Sequence, residues 1–168
     1  MTEKFPWYEV ITGENKIEQG DILEDWIVRV PDIETSEIVE QNFALMVMTQ
    51  TCDIEDGISH LIFCPVWTIE QISEEQPTFK KDATIGNLIR GRIIGFYPIN
   101  RSNDEGFIRP WRIIQFQRII EIATNDVVSR EQINIPRLRL LPPYRESISQ
   151  AFARYFMRVG LPIPVDTT

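Results

Sequence analysis

The chain has 168 residues, 43% apolar and 25% charged, with a formal net charge of −8, the balance of an ordinary globular domain, which at this length buries about 68–70% of its unfolded surface. No run approaches the roughly 18–20 apolar residues that cross a bilayer, and the start, MTEKFPWYEV, has neither the basic nor the apolar region of a signal peptide. The acidic balance also weighs against broad nucleic-acid binding, where Lys and Arg must neutralise phosphates.

The two cysteines, without an export signal, are expected as thiols in a reducing compartment, the cytoplasm. With no linker or repeat, one domain is expected over 1–168. Charge is uneven: residues 1–100 carry 18 acidic and 7 basic side chains, residues 101–168 carry 7 acidic and 10 basic, and all ten are Arg. Either the halves neutralise one another inside one fold, or the arginines leave a local anion site, for which their bidentate geometry suits them.

In chain order, an extended lead-in reaches a turn at Gly20-Asp21. A strand follows near Ile22–Val30, with Trp26, Val28 and Val30 on one face. Pro31 to Glu40 reads as a solvated connection. Phe43–Thr51 and Leu61–Val66 are strands, apolar on both faces and therefore buried on both sides. Asp56-Gly57 between them predicts a tight hairpin turn. Pro65 ends the second strand or marks an edge. Thr68–Glu75 gives one or two helical turns stopped by Pro77. Ala83–Arg92 is a short helix with Ile85, Leu88 and Ile89 on one face, leading into a strand at Ile93–Tyr97. After a polar turn over Arg101–Gly106, Ile108–Ile122 reads as one long or bent strand, and Asn125-Asp126 as a turn. The clearest helix is Tyr144–Val159, where Ile148, Ala151, Phe152, Tyr155 and Phe156 build one apolar face before Gly160 and Pro162 stop it. The pattern predicts an α+β fold: a small bent antiparallel sheet or an SH3-like β-barrel, with a C-terminal amphipathic helix.

Chemistry gathers in FALMVMTQTCDIEDGISHLIFCPVW, which holds both cysteines and the only histidine. In a hairpin centred on Asp56-Gly57, paired residue numbers sum to 113, so Asp53 faces His60 and Cys52 points the other way. A carboxylate against an imidazole can orient it for acid–base work. The plainer alternative is a surface pair beside two cysteines packed as small hydrophobes. The spacing of Cys52, His60 and Cys64 matches no zinc pattern, so no metal is expected, and no cofactor motif is present. Gln50 and Thr51, at a strand end, can hold a polar ligand or satisfy backbone groups. Arg145, Arg154 and Arg158 form the densest basic group. They can meet an acidic partner, a phosphate or the chain's own acidic half.

Gly20-Asp21-Ile22, the apolar strand Ala44–Thr49, and the strand Leu61–Pro65 ending in Cys64-Pro65 resemble the opening of the PemK/MazF-like toxin family. That resemblance implies an SH3-like barrel and, in active members, cleavage of single-stranded RNA. Where the family's second motif opens with Arg-Pro, this chain has Asn42-Phe43. The TQTCDI segment and the ending LPPYRESISQAFARYFMRVGLP also resemble a bacterial family to which no function attaches.

The leading expectation is therefore a non-catalytic binding module with a protein partner, in the bacterial cytoplasm, for which the resemblance suggests a toxin–antitoxin or phage-defence setting. Its binding residues are Gln50, Thr51, Cys52, Asp53, His60, Arg145, Arg154 and Arg158. One alternative is an RNA-cutting toxin, with an Arg stabilising the transition state and Thr49, Thr51 or His60 moving protons. The other is a thiol enzyme or redox sensor built on Cys52. Nucleic acid enters only with the first alternative. A small-molecule ligand is left undefined.

Overall fold

The structure, a computed structural model, describes residues 5–13, 16–32, 35–129 and 135–157. Its strands are β1 (Tyr8–Ile11), β2 (Asp21–Pro31), β3 (Ile38–Val47), β4 (His60–Trp67), β5 (Phe96–Ile99), β6 (Ser102–Asp104), β7 (Phe107–Arg109), β8 (Arg112–Gln115), β9 (Ile120–Ala123) and β10 (Arg137–Leu140). Eight of them form one antiparallel sheet in the order β1-β10-β2-β3-β4-β8-β5, with β9 also pairing β4, while β6 and β7 make a separate hairpin. The helices are α1 (Thr51–Glu55), α2 (Ile69–Glu75), α3 (Asp82–Ile89), α4 (Thr124–Ser129) and α5 (Tyr144–Phe156). The fold is α+β with a C-terminal helix, as the pattern predicts. No helix among the described residues is long and apolar enough to cross a membrane.

The doubly apolar strands explain the layering. Leu45, Val47, Leu61 and Phe63 enter one core with Ile72 of α2, Leu88 of α3 and Val127 of α4. Their neighbours Met46, Cys64 and Val66 enter a second core, closed by Ile148, Ala151 and Phe152 of α5. Period-two alternation sends adjacent residues to opposite faces, so each face needs its own helical cover. Trp26, Val28 and Val30 do share a face with the first core. They reach it through a bulge between Leu23 and Trp26, where Asp25 takes φ 52° and the extra residue resets strand parity.

Several expected boundaries move. β3 begins at Ile38, inside the stretch read as a solvated connection, because residues 38–43 continue the ladder with β2. The tight hairpin turn is absent: α1 occupies residues 51–55, Asp56 is its C-cap, and β3–β4 partners sum to 110 (Ala44↔Val66) rather than 113. Asp53 therefore stands on a helix and does not face His60, whose ladder partner is Ala123 of β9. The long strand over Ile108–Ile122 is three strands, β7, β8 and β9, and the turn at Asn125-Asp126 is the helix α4. Pro65 does not end β4. It sits where β4 changes partner from β9 (residues 60–63) to β8 (residues 66–67), a gap that a residue without an N–H suits. The last residues of the expected helix, including Val159, lie outside the described residues.

The sheet also does not close into a barrel. Its ends approach without a ladder: the Tyr8 hydroxyl of β1 donates to the Asn100 carbonyl, just past β5, at 2.6 Å. Gly20 sits where β2, β3 and β10 meet. Its N–H bonds Val47, its carbonyl accepts from Leu140, and at φ +88° a Cβ would lie 3.2 Å from the Leu140 backbone oxygen.

Candidate functional site

The uneven charge resolves largely inside the fold. Asp21, fully buried, accepts from Arg137 Nε at 2.8 Å and Arg139 Nε at 2.5 Å. Glu18 pairs with Arg139 at 3.2 Å and lies 3.9 Å from Arg145, while Glu24 takes Arg112 at 2.8 Å and Arg109 at 3.4 Å. Arg118 meets Glu75 at 3.7 Å and lies over the Phe43 ring. Six arginines beyond residue 100 thus pair with acids from the first hundred. Burial works against the charge on Arg139, but the Asp21 hydrogen bond and the charges of Asp21 and Glu18 outweigh it, so its pKa rises. Gly20-Asp21-Ile22, which carries part of the family resemblance, is here a structural knot.

The expected polar site at residues 50–53 and 60 separates. Thr51 Oγ1 accepts from the Gln19 N–H at 3.2 Å, and Thr49 Oγ1 from Ile62 N–H at 2.7 Å, so both hydroxyls serve backbone groups. Gln50, Cys52 and Asp53 do come together: Cys52 Sγ is 3.8 Å from Gln50 Oε1 and from Asp53 Oδ1. His60 stands apart on β4, exposed, with Nδ1 3.0 Å from Ser59 Oγ. Cys64 is fully buried, and loss of water pushes its thiol up to about 12. Gln19 ties this corner to α5, its Nε2 donating to the Met48 carbonyl at 3.0 Å and to Ser149 Oγ at 2.9 Å. Among the described residues no three His, Cys, Asp or Glu side chains gather as a metal cluster.

Arg154 leads to a different place. It lines a cavity of about 500 Å³ between α5, β5 and the end of α3, with Ile94, Tyr97 and Gln150 on its walls. A second cavity of about 390 Å³ continues past Pro98 and contains Trp111 and Arg101. Trp7, Ile89 and Pro98 border both, so the two form one groove along β5. Its walls are braced: Trp7 stacks on Tyr144 with ring centroids 3.7 Å apart, and Tyr97 Oη lies 2.8 Å from Ser147 Oγ. Ile89, expected on one face of the helix with Ile85 and Leu88, is 62% exposed at the groove rim while Leu88 is fully buried, and Ile94 is 51% exposed. Arg90 borders the groove, its Nη1 donating to the Gly86 carbonyl at 3.2 Å. Arg90, Arg101 and Arg154 pair with no carboxylate among the described residues. Arg158 lies outside the described residues.

Of the expected arginines, then, Arg145 is drawn into the Glu18 pairing and Arg154 faces the groove. Sequence reasoning missed Trp7, Tyr97, Arg90 and Arg101. The available signal was the run Ile89 to Ile94, IRGRII, in which apolar residues alternate with arginines around glycine. A buried helix end has no use for that mixture; a ligand-facing rim does. Comparison with protein-family models and with curated protein sequences finds no match for this chain.

Proposed function

We propose that this protein is a non-catalytic binding module that docks a partner protein in the groove beside β5. One observation carries the reading: Arg90, Arg101 and Arg154 border the groove and pair with no acid among the described residues, whereas six arginines beyond residue 100 are spent on ion pairs. Exposed isoleucines beside unpaired guanidiniums offer apolar area with charge at its rim, the usual anatomy of a docking surface. The expected ligand surface at Gln50–Asp53 is less suited, since the hydroxyls of Thr49 and Thr51 are already committed to backbone groups. A bacterial setting, in toxin–antitoxin or phage-defence systems, is what the family resemblances imply, and the cytoplasm is the compartment expected for two thiols.

Among the described residues, no constellation assembles for either enzymatic alternative. An RNA-cutting toxin needs a cation and a proton-transfer group converging on one phosphate. Here His60 sits on β4 with Ser59, while the uncommitted arginines border a groove lined by α5, β5 and α3. A reactive thiol is activated by a neighbouring cation or imidazole, whereas the polar contacts of Cys52 are an amide and a carboxylate.

Expression in a bacterial host, following growth and total RNA, separates binding from RNA cleavage. Unimpaired growth with intact RNA is the expected result. Growth arrest with RNA cleavage, abolished by Asp53→Ala/His60→Ala, would replace this reading with the ribonuclease.

A further inference from the structure

Taking the β5 groove as the binding surface, as proposed above, we infer that its occupant is an extended segment of a partner protein, aliphatic in the middle and acidic at both ends, that adds to the sheet as a strand beside β5. β5 ends the sheet, paired with β8 on one side only. The Gly95 carbonyl accepts from Phe116 N–H at 2.8 Å, so residues 95, 97 and 99 turn their backbone groups toward β8. By alternation, the N–H and carbonyl of Phe96 and the carbonyl of Pro98 turn outward. Asn100 fits the same parity: its outward carbonyl takes the Tyr8 hydroxyl, which closes that end of the edge. No hydrogen bond among the described residues reaches the outward groups of Phe96 and Pro98. Pro98 has no N–H to offer, which is where edge strands tolerate proline.

The groove follows this edge from Phe96 to Asn100, with the open backbone groups between Phe96 and Pro98, short of the Tyr8 contact. An added strand would satisfy the outward backbone groups while its side chains reach Trp7, Ile89 and Tyr97, as in strand-addition recognition. The charges sit at the two ends, Arg90 and Arg154 near Phe96 and Arg101 beyond Asn100. That spacing selects acids flanking an aliphatic centre. Strand addition also explains why an edge this apolar carries arginines: like charges exclude basic strands and admit acidic ones.

The test uses the full chain and a dye-labelled peptide, EEVTVTVEE, with KKVTVTVKK and a short oligo-dT as counterparts, each followed by fluorescence anisotropy. The acidic peptide should bind and the other two should not. Arg101→Glu/Arg154→Glu, both exposed positions, should weaken binding by about tenfold or more. Methylating the backbone nitrogens at the peptide's centre should abolish binding while leaving its side chains intact, and the Phe96 amide should exchange more slowly with the peptide bound. Equal binding of the basic peptide or of oligo-dT, or indifference to backbone methylation, would overturn strand addition by an acidic segment. So would a groove already filled by a second copy, seen as a dimer that the charge reversal dissociates. If the acidic peptide fails to bind but the groove still captures a partner in cells, the docking reading stands and this mode of docking falls.

Discussion

Arg139 Nε approaches Asp21 Oδ1 to 2.5 Å, while Nη2 of the same guanidinium reaches Oδ2 at 3.1 Å, in a site from which water is excluded. This two-pronged contact joins the start of β2 to β10, elements more than a hundred residues apart. The same carboxylate also accepts Arg137 Nε and the Glu18 N–H. An acid buried beside two guanidiniums is tolerable because both of its oxygens accept charge-assisted hydrogen bonds, and removing it takes from Arg137 and Arg139 the carboxylate they share.

Asp21→Ala is accordingly expected to cost roughly 3–5 kcal/mol of stability. Urea unfolding followed by tryptophan fluorescence measures it. A loss below about 1 kcal/mol would mean that Arg137 and Arg139 find other partners or water, and that the knot is not what joins β2 to β10.

Alkaline pH should destabilise the fold through Cys64 and Tyr8. Burial pushes the Cys64 thiol from 9.0 up to about 12 and raises the Tyr8 hydroxyl as well. Unfolding lets both ionise at their ordinary values, so the unfolded chain holds fewer protons and stability falls as pH rises, above about pH 9 through Cys64 and above about pH 10 through Tyr8, by up to about 1.4 kcal/mol per unit for each group. Below that range both are neutral in either state and their contribution is complete. Thermal midpoints across the range should show the fall, and Cys64→Ala should make it shallower. At neutral pH iodoacetamide should label Cys52 alone. That selectivity follows from burial of Cys64, and only a Cys52 rate well above that of an unstructured peptide thiol would indicate an activated nucleophile.

Gln19→Ala should loosen α5. It removes the bonds from Nε2 to the Met48 carbonyl and to Ser149 Oγ. The expected loss is about 1–2 kcal/mol, with faster amide exchange in α5 than in β4. Exchange that is unchanged in α5 would show that Ile148 and Phe152 hold the helix without this link.

The sequence exposed some of this clearly and some not at all. The doubly apolar strands β3 and β4 announced a sheet covered on both faces, and the face shared by Ile148, Ala151 and Phe152 announced α5, because repeating apolar patterns reflect burial directly. β10 was hidden because its burial is ionic: RLRL reads as a basic stretch until Asp21 is placed beside Arg137 and Arg139. The bulge at Glu24-Asp25 and the helix at Thr51–Glu55 were hidden for another reason. Each changes parity by a residue or three, and parity errors move whole sets of side chains to the wrong face or partner, which is how Asp53 came to be set against His60. The groove was half legible. Arg154 was picked out with Arg145, but only the folded chain separates the arginine that meets Glu18 from the one that meets an open surface.

The central claim, that the β5 groove is the docking surface, is tested most directly by photocrosslinking in a bacterial host. A benzophenone amino acid is placed at residue 94, on the groove, or at residue 108, which is 75% exposed on β7 and does not line it. Position 94 should give discrete protein adducts that Arg101→Glu/Arg154→Glu removes, and position 108 should give none above background. Equal adducts at both positions, or adducts at 94 that survive the charge reversal, would contradict the account.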